Sequence, residues 1–270
     1  MTGPAPIVTL TTDFGARDAY VAAMKGVILS IADTVRLIDV SHEIAAHDVT
    51  EGALALEAAA PFFPAGTIHV AVVDPGVGTA RRGLALITAR ARFVGPDNGL
   101  FTPFLDGPDW RAYELTAAEF RLAAVSRTFH GRDVFAPAAA HLALGVAPER
   151  LGPRVEDLVR LPWPTVREAR GAVGGTVLHV DRFGNLVTSI RADAFESFGP
   201  ISVRVAGRRL PFVGTYGELA AGQAGALVGG SGRLEIAVRE GSAAARFRAR
   251  RGTPVVVSRS LPVRRVRRRP

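Results

Sequence analysis

The order of apolar patterns constrains the fold of this chain more than any other feature. From Ile7 to about Ala147, short β-branched runs alternate with segments of helical periodicity; beyond Gly171 the helical period disappears and only strand-like runs remain. IVTLTT (7–12), TVRLIDVS (34–41), TIHVAVVD (67–74), LALITA (84–89) and RFVGPD (92–97) read as strands apolar on both faces. Between them, Tyr20 to Ile31 and VTEGALALEAAAPFF carry helical spacing, the second ending at Pro64, and a further helix is expected around Val134 to Leu144. Such alternation predicts an α/β domain over 6–150 with a mainly parallel central sheet between helices. The segment 151–170 is rich in proline and charge and reads as a linker. TVLHVD, LVTSI, ISVRVAG, RRLPFV, GALVGG, RLEIAV and PVVVS then predict a small all-β antiparallel barrel over 171–259, leaving 260–270 as an Arg-rich, disordered tail.

Charge bears on partners. The formal net charge is +8, but residues 246–270 hold ten arginines and no acid, so residues 1–245 sum to about −2. The body therefore reads as no basic nucleic-acid binder, and any such partner is expected only through the tail. No apolar stretch approaches the ~18 residues of a membrane span, and MTGPAPIVTLTTDFG lacks the features of a secretory signal, so a cytoplasmic location is expected. The chain has no cysteine, which excludes disulfides, thiolate nucleophiles and cysteine-ligated metals.

VDPGVGTARRG (73–83) is the densest motif. Gly78 and Gly83 match the spacing of a Walker loop, but Leu84 stands where lysine is required; Gly76 and Gly78 begin a dinucleotide fingerprint that fails at Arg81. What remains is Asp74 at the C-terminal end of a strand, the edge where open α/β sheets bind ligands, with Arg81 able to fold back toward it. The same motif also fits an aspartate that merely accepts backbone N–H bonds in a turn. Arg82 reads as solvated surface. In TFHGRDVFAP (128–137), His130 sits on a turn beside Gly131, while Asp133 suits a helix cap. In TTDFG (11–15), Asp13 ends the first strand on the edge that carries Asp74 and suits either the two hydroxyls of a ribose or a loop cap. DRFGN (181–185) and GGSG (229–232) offer Asp181, Asn185 and Ser231, which fit an amino group and a carboxylate or plain hairpin chemistry.

Taken in order, TTDFG, LIDVSHEI, VVDPGVGT-x-RR, GPDNG, TFHGRDVFAP, DRFGN and SG-x-LEIAV resemble the S-adenosylmethionine hydrolases. That family is also called the S-adenosylmethionine hydroxide adenosyltransferases and is related to fluorinase and chlorinase. The resemblance covers about 6–258 and implies hydrolysis of S-adenosylmethionine to adenosine and L-methionine, without cofactor or metal, since S-adenosylmethionine is the substrate. It also implies an α/β domain followed by a β-barrel, and a homotrimer with sites at subunit interfaces. Carried onto this chain, the catalytic set is Asp74, Arg81 and His130, with Asp13 on the ribose. Asp181 and Asn185 meet the methionine amino group and Ser231 its carboxylate; Phe183 lies in the same turn as Asp181, and Tyr216 is a candidate for stacking on adenine. His47 stands where relatives often have an aromatic residue near the ligand, and the Arg-rich end has no counterpart. Two other readings are a halide-dependent adenosyl transferase, against which the acid at position 74 argues because the halogenases carry tyrosine there, and a binding protein without turnover.

Overall fold

The structure is a computed structural model that describes residues 4–163 and 165–260. The described residues form two compact units that divide after Trp163. Apart from Ser260, the stretch expected to be a disordered tail lies outside them.

In the first unit, β1 (Ile7–Thr12), α1 (Tyr20–Ile31), β2 (Arg36–Ser41), α2 (Val49–Ala59), β3 (Ile68–Val72), β4 (Gly83–Ile87), β5 (Arg92–Pro96), β6 (Arg111–Glu114), α3 (Ala136–Ala143) and β7 (Arg154–Val155) follow one another. The seven strands form one sheet in the order β2-β1-β3-β5-β4-β6-β7. Side-chain alternation along β3 explains why it reads as a continuous apolar run. Val70 and Val72 enter the core shared with Met24, Ile28 and Phe135 from α1 and the region of α3, whereas Ala71 and Val73 face the core that holds Leu56 of α2 and Phe93.

The sheet is mixed rather than mainly parallel. β2, β1, β3 and β5 run parallel, but β4 pairs antiparallel with β5 and β6, and β6 with β7. The reason is local. Only Thr88 to Ala91 separate β4 from β5, and Thr88 N–H donates to Ala91 O (2.9 Å) while the Thr88 hydroxyl accepts from Ala91 N–H (3.0 Å). So short a connection can only make a hairpin, because a parallel crossover needs a dozen residues or more. Residues 154–155, within the stretch read as linker, pair with β6, and Val159 N–H and Leu161 N–H donate to Asp97 Oδ1 and Thr102 Oγ1.

The second unit comprises β8 (Arg167–Ala169), β9 (Ala172–Val180), β10 (Leu186–Arg191), β11 (Ile201–Val205), β12 (Arg208–Leu210), β13 (Ala224–Val228), β14 (Arg233–Val238), α4 (Ala243–Phe247) and β15 (Pro254–Arg259). The order is β12-β11-β15-β9-β10-β14-β13, antiparallel throughout, with β8 also on β9. A bridge between Phe212 and Ala226 joins the segment after β12 to β13 and nearly closes the sheet into a barrel. Inside lie Val177, Leu186, Ile190, Val203, Ile236, Val255 and Val257.

Candidate active site

Asp13 follows β1 directly and Asp74 lies two residues beyond β3. The two strands are parallel neighbours with Thr12 opposite Val72, so both carboxylates reach the same edge of the sheet. A concavity of about 300 Å³ opens there, lined among others by Asp13, Phe14, Tyr20, His47, Asp74 and His130.

Asp74 is held by a residue only seven positions away. Pro75 and Gly76 turn the chain, and Arg81 Nε donates to both carboxylate oxygens (2.9 and 3.0 Å), with Nη2 on Oδ2 as well. Both side chains are nearly buried. The turn has little freedom to move: Gly78 has φ of +79°, and a Cβ there would lie 2.5 Å from the carbonyl oxygen of Arg127. Residue 78 is therefore pressed against the loop that leads to His130.

Arg81 Nη2 also lies 2.9 Å from His130 Nδ1. A guanidinium has only donors, so Nδ1 must accept, and the neutral ring carries its proton on Nε2. Burial, followed by the charge of Arg81, lowers the His130 pKa below the ordinary imidazole value, which keeps the ring neutral. The trio thus presents a carboxylate acceptor and an imidazole N–H donor, joined by one cation.

His130 immediately precedes a π-helical turn, Gly131–Phe135, that leads into α3. π-turns recur at functional sites. Asp133 does not cap this helix as expected. It is fully buried, pairs with Arg132 (2.5 Å), and accepts from Ser126 N–H (2.8 Å), tying the loop before His130 to the helix. Arg82 is not the solvated surface residue it was expected to be. Its guanidinium bonds Asp97 (2.6 and 2.9 Å) and Asp157 (2.8 Å), while Asn98 donates to Val73 O (2.8 Å) just before the turn that carries Asp74. A side chain one position from Arg81 therefore anchors the turn to two distant segments.

The loop that carries Asp13 is fixed in a similar way. Thr12 Oγ1 meets His42 Nδ1 at 2.8 Å, and Gly15 N–H donates to His42 O (2.7 Å). His42 Nε2 lies 2.9 Å from Asp39, which in turn holds Lys25 at 2.6 Å. Asp13 Oδ2 accepts from His47 N–H (2.8 Å), a residue with the strained φ of +66°. Asp13 itself lines the concavity. Phe14, Tyr20 and Phe129 pack together with centroids 5.2–6.0 Å apart, Phe129 edge to face with each of the other two. Sequence reasoning passed over all three. The aromatic neighbours of Asp13 and His130 in TTDFG and FHG were the available signal.

The remaining predicted residues lie in the second unit. Asp181 Oδ1 accepts from Phe183 N–H and Asn185 N–H (2.9 and 2.8 Å), and Oδ2 accepts from Asn185 Nδ2 (3.0 Å). Phe183 is 75% exposed at the tip of this turn. Ser231 is exposed in the turn between β13 and β14, closed by Gly232 N–H to Gly229 O (2.9 Å). Tyr216 donates its hydroxyl to Glu235 (2.5 Å), a buried carboxyl whose pKa burial raises. Glu235 was missed, although LEIAV quotes it.

Two family models match this chain: the SAM hydroxide adenosyltransferase N-terminal domain over residues 8–152 and the corresponding C-terminal domain over 175–256. An (R)-S-adenosyl-L-methionine hydrolase of Thermus thermophilus is 44% identical over 92% of this chain and 98% of its own length. A fluorinase of Actinopolyspora mzabensis is 30% identical over 94% and 98%. Among solved structures, an uncharacterized conserved protein from Thermotoga maritima superposes with a TM-score of 0.88 at 33% identity, covering 94% of this chain and all of that one. With both halves matched in order along nearly its whole folded length, the chain belongs to the SAM hydroxide adenosyltransferase family.

Proposed function

We propose that this protein is an enzyme that hydrolyses S-adenosyl-L-methionine to adenosine and L-methionine. The observation that carries the reading is the Asp74–Arg81–His130 trio, an acceptor and a donor converging on the concavity beside Asp13. Water attacks ribose C5′ in line with the C5′–S bond; the bonding pair leaves with sulfur, which becomes the neutral thioether of methionine. A sulfonium needs no proton to depart, so the protein's task is to hold the water and exclude its neighbours. His130 Nε2–H donates to the water oxygen, and Asp74 accepts one of its hydrogens and takes the proton as the C–O bond forms. Arg81 acts on both without touching the water: it holds the Asp74 carboxylate in place and fixes the His130 tautomer.

Asp13 holds the ribose hydroxyls. The aromatic faces of Phe14, Tyr20 and Phe129 suit adenine and the sulfonium charge, which favours aromatic surfaces as other cations do. Asp181 and Asn185 receive the methionine ammonium, Ser231 its carboxylate, and Tyr216 and Phe183 flank the ligand. The likeness to the family supports a homotrimer with sites at subunit interfaces and a reaction needing no cofactor or metal; the cytoplasmic location rests on the sequence reading alone. Light scattering tests the first, chelator-treated enzyme the second and fractionation the third.

The relatives' names carry an (R) descriptor. Because the amino-acid centre is already given as L, the descriptor falls on the sulfonium sulfur, and we expect the same epimer to be preferred here. The decisive experiment incubates purified protein with each sulfonium epimer and separates the products. Equal amounts of adenosine and methionine are expected; binding without methionine release overturns hydrolysis, and a 5′-halo-adenosine formed with added chloride or fluoride would make halide the nucleophile.

A further inference from the structure

The near-neutral sum over residues 1–245 conceals two units of opposite charge. Residues 1–163 carry 14 basic and 18 acidic side chains, net −4, whereas 164–260 carry 14 arginines against 7 acids, net +7. Part of that excess is arranged as a row. On β11 and β12, Arg204 stands directly opposite Arg209. Continuing across the sheet, Arg204 pairs with Val256 on β15, Val256 with Gly174 on β9, and Gly174 with Arg167 on β8. Directly paired residues share a sheet face, so Arg209, Arg204 and Arg167 lie on one outer row, with only Val256 and Gly174 between them.

This row is costly as it stands. Like charges directly opposed on neighbouring strands repel. All three arginines are exposed, and among the described residues none pairs with a carboxylate. Deterring edge-to-edge pairing takes one charge on β12, not a facing pair. The neighbouring row on the same face, Ser202, Ser258, Ala172 and Ala169, is small and bears no charge, which leaves the arginines standing above a low floor. At the β12 end, Arg208, Arg209 and Arg246 line a concavity of about 380 Å³ that no acid enters. Arg209 also donates to Ser260 (3.3 Å).

We propose that this face of the barrel binds the phosphodiester backbone of nucleic acid without regard to sequence. From Arg209 to Arg167 the row crosses four strand spacings, about 19 Å at ~4.8 Å each. That is too long for a single phosphate and suits a polymer with repeated charge. Guanidinium forks engage phosphate oxygens in bidentate fashion. A membrane surface would call for several apolar side chains to insert beside the charges, and the row offers a single exposed valine, Val256.

The test measures anisotropy of a labelled 24-nucleotide single-stranded DNA titrated with the full chain between 25 and 200 mM KCl. Arg167, Arg204 and Arg209 are changed together to Gln in one variant, and Arg264, Arg265, Arg267, Arg268 and Arg269 in another. Salt-sensitive binding is expected in the wild type. In the triple variant we expect affinity at 50 mM salt to drop at least about tenfold and the logarithmic salt slope to fall by about 2, at ~0.7 per lost contact. S-adenosylmethionine turnover should be unchanged, which reports that the variant is folded; were it not, Arg204→Gln alone, on an exposed side chain, is read instead. Binding equal to wild type in the triple variant, loss in the tail variant only, or retention on phosphatidylserine vesicles but not DNA would each overturn the proposal.

Discussion

The two units hold their proposed functional groups by different physics. In the first, Asp74, Arg81 and His130 form a continuous ionic and hydrogen-bonded set at the end of a sheet buried on both faces. In the second, Asp181 and Asn185 satisfy each other within a five-residue turn, and Phe183 is exposed at its tip. A water-positioning site must keep its geometry before substrate arrives, because misplacement by an ångström costs rate. A turn that grips the ligand's polar end needs to be right only when the ligand is bound. Damage to the first unit should therefore appear in turnover or stability, and damage to the second in affinity.

The largest expected effect tests that division directly. Asp74→Asn keeps the shape of the side chain but removes its charge and basicity, and we expect kcat to fall by about 10² or more with a small change in KM. If KM alone moved, Asp74 would be a binding residue and the contrast between the units would fail. In acid, the first unit should show a weakness of its own. His69 is buried, bonded through Nδ1 to Thr9 (2.8 Å), stacked on Phe93, and has its pKa lowered to about 4 by burial. Its neutral form is native, so stability is intact above about pH 6.5 and is lost as pH falls from there toward 4, where the unfolded chain binds a proton that the folded one refuses. The loss approaches on the order of 3 kcal/mol. Denaturant midpoints measured from pH 7 to 4 should decline, and His69→Phe should flatten the decline.

Arg82→Met should come next, at about 2 kcal/mol, because it strands the buried Asp97 while Arg82 itself is only partly buried. Its more telling signature is a lower kcat at unchanged KM, since the anchor of the proposed catalytic turn is what is removed; urea denaturation and steady-state kinetics on the same sample separate the two losses. The smallest effect is expected in the second unit. Asp181→Asn retains an acceptor for Phe183 and Asn185 N–H but loses the charge opposite an ammonium, so KM should rise roughly tenfold with kcat held, in line with about 1.5 kcal/mol for a charged hydrogen bond. A kcat effect equal to that of Asp74→Asn would erase the distinction.

Much of this was legible in the sequence wherever the interaction was local. Asp74 and Arg81 are seven residues apart across a proline–glycine turn, and the pairing follows from the turn. The pairing of Arg82 with Asp97 and Asp157 spans 15 and 75 residues, and no local pattern announces it. The antiparallel half of the sheet was within reach, since the strands read at 84–89 and 92–97 leave two residues for a connection, a length that only a hairpin satisfies. Asp133 was taken for a cap because its place before a helix fits that role; the π-turn that carries it inward leaves no trace in the periodicity. In the barrel, the strands were readable from their alternation, but the row of arginines was not, because register across five strands decides which of them face one another.

The shared hold of Arg81 on Asp74 and His130 has an electrostatic consequence. Its charge is cancelled inside the site by a single carboxylate. Shortening that residue to glycine would leave a nearly buried cation beside a neutral imidazole N–H donor, in a space vacated by two oxygens. A buried cation without a counter-charge is strongly unfavourable, and the simplest remedy is a small anion drawn from solvent. An Asp74→Gly variant is therefore expected to gain thermal stability from added chloride, a gain that the wild type, with its own carboxylate in place, should not show.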